Sequence, residues 1–176
     1  MPVAIQIITE RKKDFLMKTA IVYYSAHHGN TKKLLDAIAA AGDVTLIEAA
    51  GSPHTDLSTF DLVGFAFGIY NSKFHGSVPR FAEDNLPHGM KVFFIYTCGM
   101  KRKNYTDAIR RVTDSKGAQL LGIYGCLGFD TFGPLKLIGG IAKGRPNDED
   151  IAGAMKFFDE VREKGEKNAK IQENAE

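Results

Sequence analysis

From residue 19 onward, short runs that are apolar on both faces alternate with longer runs whose apolar residues recur every three or four places. The first pattern suits strands buried on both sides, the second amphipathic helices. Thr19–Tyr24 (TAIVYY) is predicted as a central strand, followed by a helix over Asn30–Ala41 with Leu34, Leu35, Ile38 and Ala41 on one stripe. Val44–Ala49, Leu62–Gly68, Lys91–Thr97 and Leu120–Gly128 are four more predicted strands, with a turn over Pro53–Thr59. Ser77–Asn85 is predicted as a short helix with Pro79 in its first turn, where the missing N–H costs little. Asn104–Lys116 is another, with Ala108, Ile109 and Val112 inward. In the last helix Ile151, Ala154, Met155, Phe158 and Val161 form the buried stripe. Asn147 is its expected N-cap, Asp150 stands at capping-box spacing, and Asp148, Glu149 and Asp150 lie at the positive end of its dipole. From Lys164 the chain turns polar, and fraying is expected there. Alternating strands and helices over this length make a three-layer α/β fold, a parallel sheet covered on both faces.

Residues 1–17 stand apart. Val3, Ile5 and Ile7 alternate with Ala4, Gln6 and Ile8, which reads as an extra edge strand, a dimerisation arm, or an extension without a role. The organisation expected is therefore an extension over 1–17, one domain over 18–164, and a polar tail over 165–176.

Composition narrows the function classes. The chain has 176 residues, 44% hydrophobic and 25% charged, the balance of one globular domain rather than a disordered or fibrous chain. No apolar run reaches the ~20 residues that cross a bilayer. Net charge is +2, so nothing marks a nucleic-acid binder. Cys98 and Cys126 make no disulfide framework and fit no zinc spacing, which points to a reducing cytoplasm.

The chemistry gathers in three loops, because ligands of open α/β sheets bind beyond the carboxyl ends of the strands. The first, Ser25–Thr31 (SAHHGNT), joins the first strand to a helix N-terminus. Ser25, Asn30 and Thr31 supply donors, Gly29 permits close approach, and no Walker lysine is present. Such neutral donors suit a cofactor monophosphate that is held and not hydrolysed; an ordinary βα turn is the plainer reading. His27 and His28 are adjacent, without a third ligand nearby, and read as phosphate contacts or solvated rings rather than a metal site. The second loop begins at Gly68 and Ile69; Tyr70 and Phe74 offer rings for stacking, and Asn71 and Ser72 offer donors to a heterocycle. In the third, backbone groups of Thr97, Cys98 and Gly99 stand where they could reach a pyrimidine-like edge. Cys98 reads as an apolar filler beside a cofactor or as a reactive thiol. Lys101–Lys103 reads as a solvated lead-in or as a basic rim that steers an acidic partner.

Taken together, IVYYSAHHGNTKKLLDAI (21–38), FAFGIYNSKFHGSVPRF (65–81) and FFIYTCGM (93–100) resemble the flavodoxin family, over roughly Lys18 to Lys164. The resemblance implies a sheet of order 2-1-3-4-5 and FMN bound non-covalently. It assigns Ser25, Asn30 and Thr31 to the phosphate, Gly68, Tyr70 and Asn71 to the loop beside the isoalloxazine, and Thr97 to Gly99 to its pyrimidine edge. The phosphate loop is one residue longer than the family's S-x-T-G-N-T form, Trp is absent, and the chain is not acidic. Phe129–Gly144 is long for a connection, and Phe129, Phe132, Leu135, Leu137 and Ile138 suggest a lid over the flavin or a subunit contact. The implied function is an electron carrier that docks a redox partner protein at the flavin edge and needs no catalytic side chain. The alternatives are an FMN-dependent NAD(P)H reductase, often a homodimer, and a binding domain that has lost its flavin.

Overall fold

The computed structural model describes residues 17–26, 28–52, 54–70 and 73–173. Expectations for the 1–16 arm, for His27, Pro53, Asn71 and Ser72, and for the rings of Tyr70 and Phe74 lie outside what is described.

Strands β1 (Thr19–Tyr24), β2 (Val44–Glu48), β3 (Leu62–Tyr70), β5 (Lys91–Cys98) and β6 (Gln119–Leu127) pair in parallel in the order β2-β1-β3-β5-β6. Among the five parallel strands that is 2-1-3-4-5. The two-residue β4 (Lys73–Phe74) folds back on β3 as a hairpin that the sequence pattern does not announce.

The period of two sorts each strand's side chains between two cores. Ala20 and Val22 of β1, Phe65 and Phe67 of β3, and Val92 and Phe94 of β5 join one core. It is capped by α2 (Ser77–Asn85) through Val78, Phe81 and Ala82, and by α3 (Asp107–Ser115) through Ile109 and Val112. Ile21, Phe93 and Ile95 face the other core, with Leu34, Leu35 and Ile38 of α1 (Asn30–Ala41) and Ala154, Phe158 and Val161 of α4 (Asp148–Glu173). Both faces of the central strands are thus dry, which explains their unbroken apolar runs.

The helix ends follow the sequence closely. Asp150 N–H donates to Asn147 Oδ1 (3.1 Å), and Asn147 N–H donates to Asp150 Oδ2 (3.0 Å), a reciprocal capping box. Arg145 adds an ion pair to the same carboxylate. Several boundaries differ from expectation: the helix expected over Asn104–Lys116 spans Asp107–Ser115, and β3 runs past Gly68 to Tyr70. Pro53–Thr59 includes a 3-10 turn at Leu57–Thr59, held by Asp56, which accepts from Ser58 N–H (2.9 Å). The last helix does not fray at Lys164 but continues to Glu173. Gly165 lies buried there so close to Met17 that an added Cβ would stand 2.6 Å from its Sδ, so packing against the chain entry carries the helix through a polar stretch.

Candidate functional site

The loop after β1 leads to α1 on one face, while the loops after β3 and β5 lead to α2 and α3 on the other. A crevice therefore opens at the carboxyl edge between β1 and β3, the switch point of the sheet. In the β1–α1 loop His28 and Gly29 both take left-handed backbone (φ 57° and 63°). This reversal sets Gly29 as the N-cap of α1, with no side-chain cap and no acidic residue in the first turn. The first turn of α1 thus offers no acid of its own to the positive end of the helix dipole, in contrast to the three acids that open α4. Ser25 Oγ, half-buried, accepts from Lys32 N–H (3.3 Å).

Three of the residues singled out by the sequence come together with the loops after β3 and β5. Thr31 and Thr97 are almost fully buried and share a hydroxyl–hydroxyl hydrogen bond of 2.9 Å. Asn30 is 8% exposed; its Nδ2 donates to Phe129 O (2.8 Å), while its Oδ1 is buried without a partner. A narrow cleft is lined by Asn30, Gly68, Ile69, Thr97, Cys98 and Gly99, together with Gly128, Phe129 and Asp130. Gly99 and Gly128 have no room for a side chain. A Cβ at Gly128 would stand 2.8 Å from Asn30 Nδ2, and one at Gly99 would stand 2.7 Å from Asp130 Oδ2. Tyr70 ends β3 at the turn of the β3–β4 hairpin, its backbone paired with that of Lys73.

His28 does not turn toward the crevice floor. Its ring lies exposed, with Nε2 hydrogen-bonded to Thr131 Oγ1 (2.9 Å), and packs on Phe129 at 4.7 Å. It ties the first loop to the one after β6. Cys98 and Cys126 are buried free thiols, and burial pushes Cys98 up to about 11 against the pull of Lys101, and Cys126 to about 12. The filler reading of Cys98 fits this environment and the nucleophile reading does not. No group of three or more His, Cys, Asp or Glu capable of holding a metal occurs among the described residues.

The loop after β6 contributes what the sequence reading did not assign. Asp130 lines the cleft and accepts from Phe132 N–H (2.8 Å), and it pairs with Ile141 in an isolated bridge. The signal was present, since residues 128–131 also leave the carboxyl end of a strand. Beyond Asp130 the cleft widens into a hollow of about 240 Å³ between Ile69, Met100, Tyr105, Phe132, Leu135 and Ile141. Tyr105 fixes one wall by donating to Met100 O (2.7 Å). A larger groove of about 680 Å³ runs between Ala49–Ala50 and α2. Its polar side chains, His75, Ser77, Arg80 and Asp84, are exposed or half-buried, and among the described residues no orphaned buried polar group lines it, so the crevice is the better-built site.

The comparisons agree with this geometry. A family model described as Flavodoxin domain matches residues 21–127. The chain is 34% identical over 143 residues to a protein of Methanocaldococcus jannaschii described as uncharacterized, covering 80% of this chain and 95% of that one. Among solved structures, a flavodoxin from the domain Archaea has a TM-score of 0.59 at 16% identity, over 84% of this chain and 98% of its own. The two-electron reduced flavodoxin of Megasphaera elsdenii has a TM-score of 0.54 at 23% identity, over 78% and 97%.

Proposed function

The chain belongs to the flavodoxin family, and from that premise we propose that it holds FMN in the β1–β3 crevice and works as an electron carrier. The single observation that carries the proposal is the buried cradle of Asn30, Thr31 and Thr97. A buried acceptor without a donor is costly, about 1–3 kcal/mol, and Asn30 Oδ1 is such an acceptor. A ribityl chain offers hydroxyl donors, and its phosphate offers the anion that the N-terminus of α1, with no acidic residue in its first turn, favours. The residues therefore fit the group.

In this reading Ser25, Gly29, Asn30 and Thr31 bind the phosphate and the start of the ribityl chain. Gly68, Ile69, Tyr70, Asn71 and Ser72 flank one side of the ring system, and Thr97, Cys98 and Gly99 flank its polar edge. His28 belongs to the rim, where its ring meets Thr131 and Phe129, and His27 is proposed as a phosphate contact. FMN supplies the redox chemistry; the protein orients it, keeps water from one face and sets its potential. A carrier of this kind requires no catalytic residue.

A reductase is the second reading, favoured by the hollow of about 240 Å³ beside Tyr105 and Phe132, which would admit a second planar group. A steady-state NADPH-oxidation assay separates it from the carrier. The first test is the absorption spectrum of the purified protein and the identity of what heating releases. Flavin bands near about 375 and 450 nm, with one FMN per chain, are expected. A colourless protein that also fails to take up added FMN would leave only a binding role.

A further inference from the structure

We infer that the loops after β5 and β6 form a docking surface for a small acidic electron-transfer protein. This deepens the carrier reading and rests on it for the chemistry, though not for the binding itself. Leu137 is 89% exposed, Ile138 69% and Met100 59%, and Phe132 is 41% exposed. The first two cap the 3-10 turn Gly133–Ile138, whose Pro134 and Leu135 face Met100 and Arg102 across the hollow beside the cleft. Met100 and Phe132 line that hollow, and Leu137 and Ile138 end the turn that forms part of its wall. The same two loops carry Lys101, Arg102, Lys103, Lys136 and Lys143, all exposed.

The charge distribution supports the choice of partner. Residues 99–106 and 128–146 hold five exposed cations and the single carboxylate Asp130, a net of +4 with Arg145, which pairs with Asp150, set aside. The whole chain is +2, so the remainder, with Arg145 counted in it, is net −2. The basic excess is therefore local to these two loops. An apolar centre with a charged rim is the ordinary anatomy of a transient interface, and a local field of one sign speeds encounter with the opposite sign. Against a second copy of itself the same patch would repel, which disfavours a two-fold contact through it. With FMN held in the crevice by Asn30, Thr31 and Thr97, a docked partner would give up one electron and be oxidised, the flavin would supply the site that accepts it, and any proton would come from water.

The test uses the full-length chain and a small, strongly acidic [4Fe–4S] ferredoxin as probe. Its affinity is measured by titration calorimetry at low and at near-physiological salt, with and without FMN. The expected result is binding that weakens about tenfold across that salt range. Lys103→Glu, Lys136→Glu and Lys143→Glu combined should abolish the salt dependence and weaken low-salt binding at least about tenfold. Leu137→Ser with Ile138→Ser should weaken binding at both salt levels, with FMN content unchanged. Stopped-flow transfer from the reduced probe to the FMN-loaded chain should follow the same order of variants. Undiminished binding in the charge-reversal variant would overturn the proposal. So would a dimer that dissociates on Leu137→Ser, or attachment to anionic vesicles with no affinity for the probe. A chain that binds the ferredoxin but takes no FMN would sink the carrier reading and leave the docking surface standing.

Discussion

Thr31 and Asn30 carry the sharpest consequences, because each is buried at the crevice with capacity left for a ligand. The Thr31–Thr97 pair uses one of its two hydroxyl protons internally (2.9 Å) and leaves the other to donate. Thr31→Val keeps the shape and removes one hydroxyl, so FMN affinity should fall about tenfold, the equivalent of one hydrogen bond. Flavin fluorescence quenching reads this directly, and an unchanged affinity would remove Thr31 from the site. Asp130 places a carboxylate in the same cleft. A nearby negative charge disfavours adding electrons to a bound ring, so Asp130→Asn should raise the midpoint potential, on the order of 30–60 mV. A spectroelectrochemical titration that finds no rise would mean the ring lies elsewhere. The thiols give a pH prediction. Burial raises Cys98 to about 11 from 9.0, so the folded state keeps its proton where the unfolded chain releases it. Stability linked to Cys98 is thus complete below pH 9 and is lost as pH rises toward 11. At pH 8 only about one thiol in a thousand would be ionised, so Ellman's reagent should react slowly with the native protein and promptly in urea.

At the scale of elements, the N-terminus of α4 concentrates several contacts on one side chain. Asp150 caps Asn147, accepts from Arg145 and is 6% exposed, and its backbone carbonyl accepts from Tyr124 (2.7 Å) on the edge strand β6. Asp150→Ala removes the cap and strands a guanidinium that is itself one-third exposed, so the cost should be about 2–3 kcal/mol. A thermal midpoint about 5–10 °C lower is the expected readout. This capping box was legible in the sequence, as were all five parallel strands and the exact span of α1, because each rests on local spacing. The β4 hairpin was not, since Lys73 and Phe74 pair with β3 only through backbone hydrogen bonds that any residues make. Nor was the persistence of α4, which depends on Gly165 meeting Met17 across almost the whole length of the chain. At the site, Asn30, Thr31 and Thr97 were readable from residue type and strand ends. The partnership of His28 with Thr131 was not, because it joins residues 103 apart through two loops of irregular backbone.

The molecule as a whole is asymmetric between the two ends of its sheet. At the amino end the connections close on backbone groups: Asp61 N–H donates to Lys18 O (2.9 Å), Gly89 N–H to Lys116 O (3.0 Å) and Gln119 N–H to Met90 O (2.9 Å). Asp61 reinforces that end by accepting from Lys18 N–H (2.8 Å). At the carboxyl end backbone joins such as Gly128 N–H to Cys98 O (2.9 Å) and Phe129 N–H to Arg145 O (2.9 Å) are supplemented by side chains: His28 to Thr131, Asn30 to Phe129, Thr31 to Thr97 and Tyr105 to Met100. One end is built to hold the strands together and the other to hold loops around a guest. Stability and affinity should therefore separate by position. Asp61→Ala removes one largely exposed hydrogen bond, worth about 1 kcal/mol, and should lower the thermal midpoint by about 2–4 °C. Its FMN affinity should stay within about twofold, because distant sites without shared partners act independently. Thr31→Val should show the opposite balance, a small change in the midpoint without FMN and a large loss of the stabilisation that FMN confers. Melting both variants with and without FMN, beside their measured affinities, decides the matter. If Asp61→Ala weakened FMN as much as Thr31→Val, the two ends would be coupled through the sheet, and the crevice could not be treated as a site independent of the scaffold beneath it.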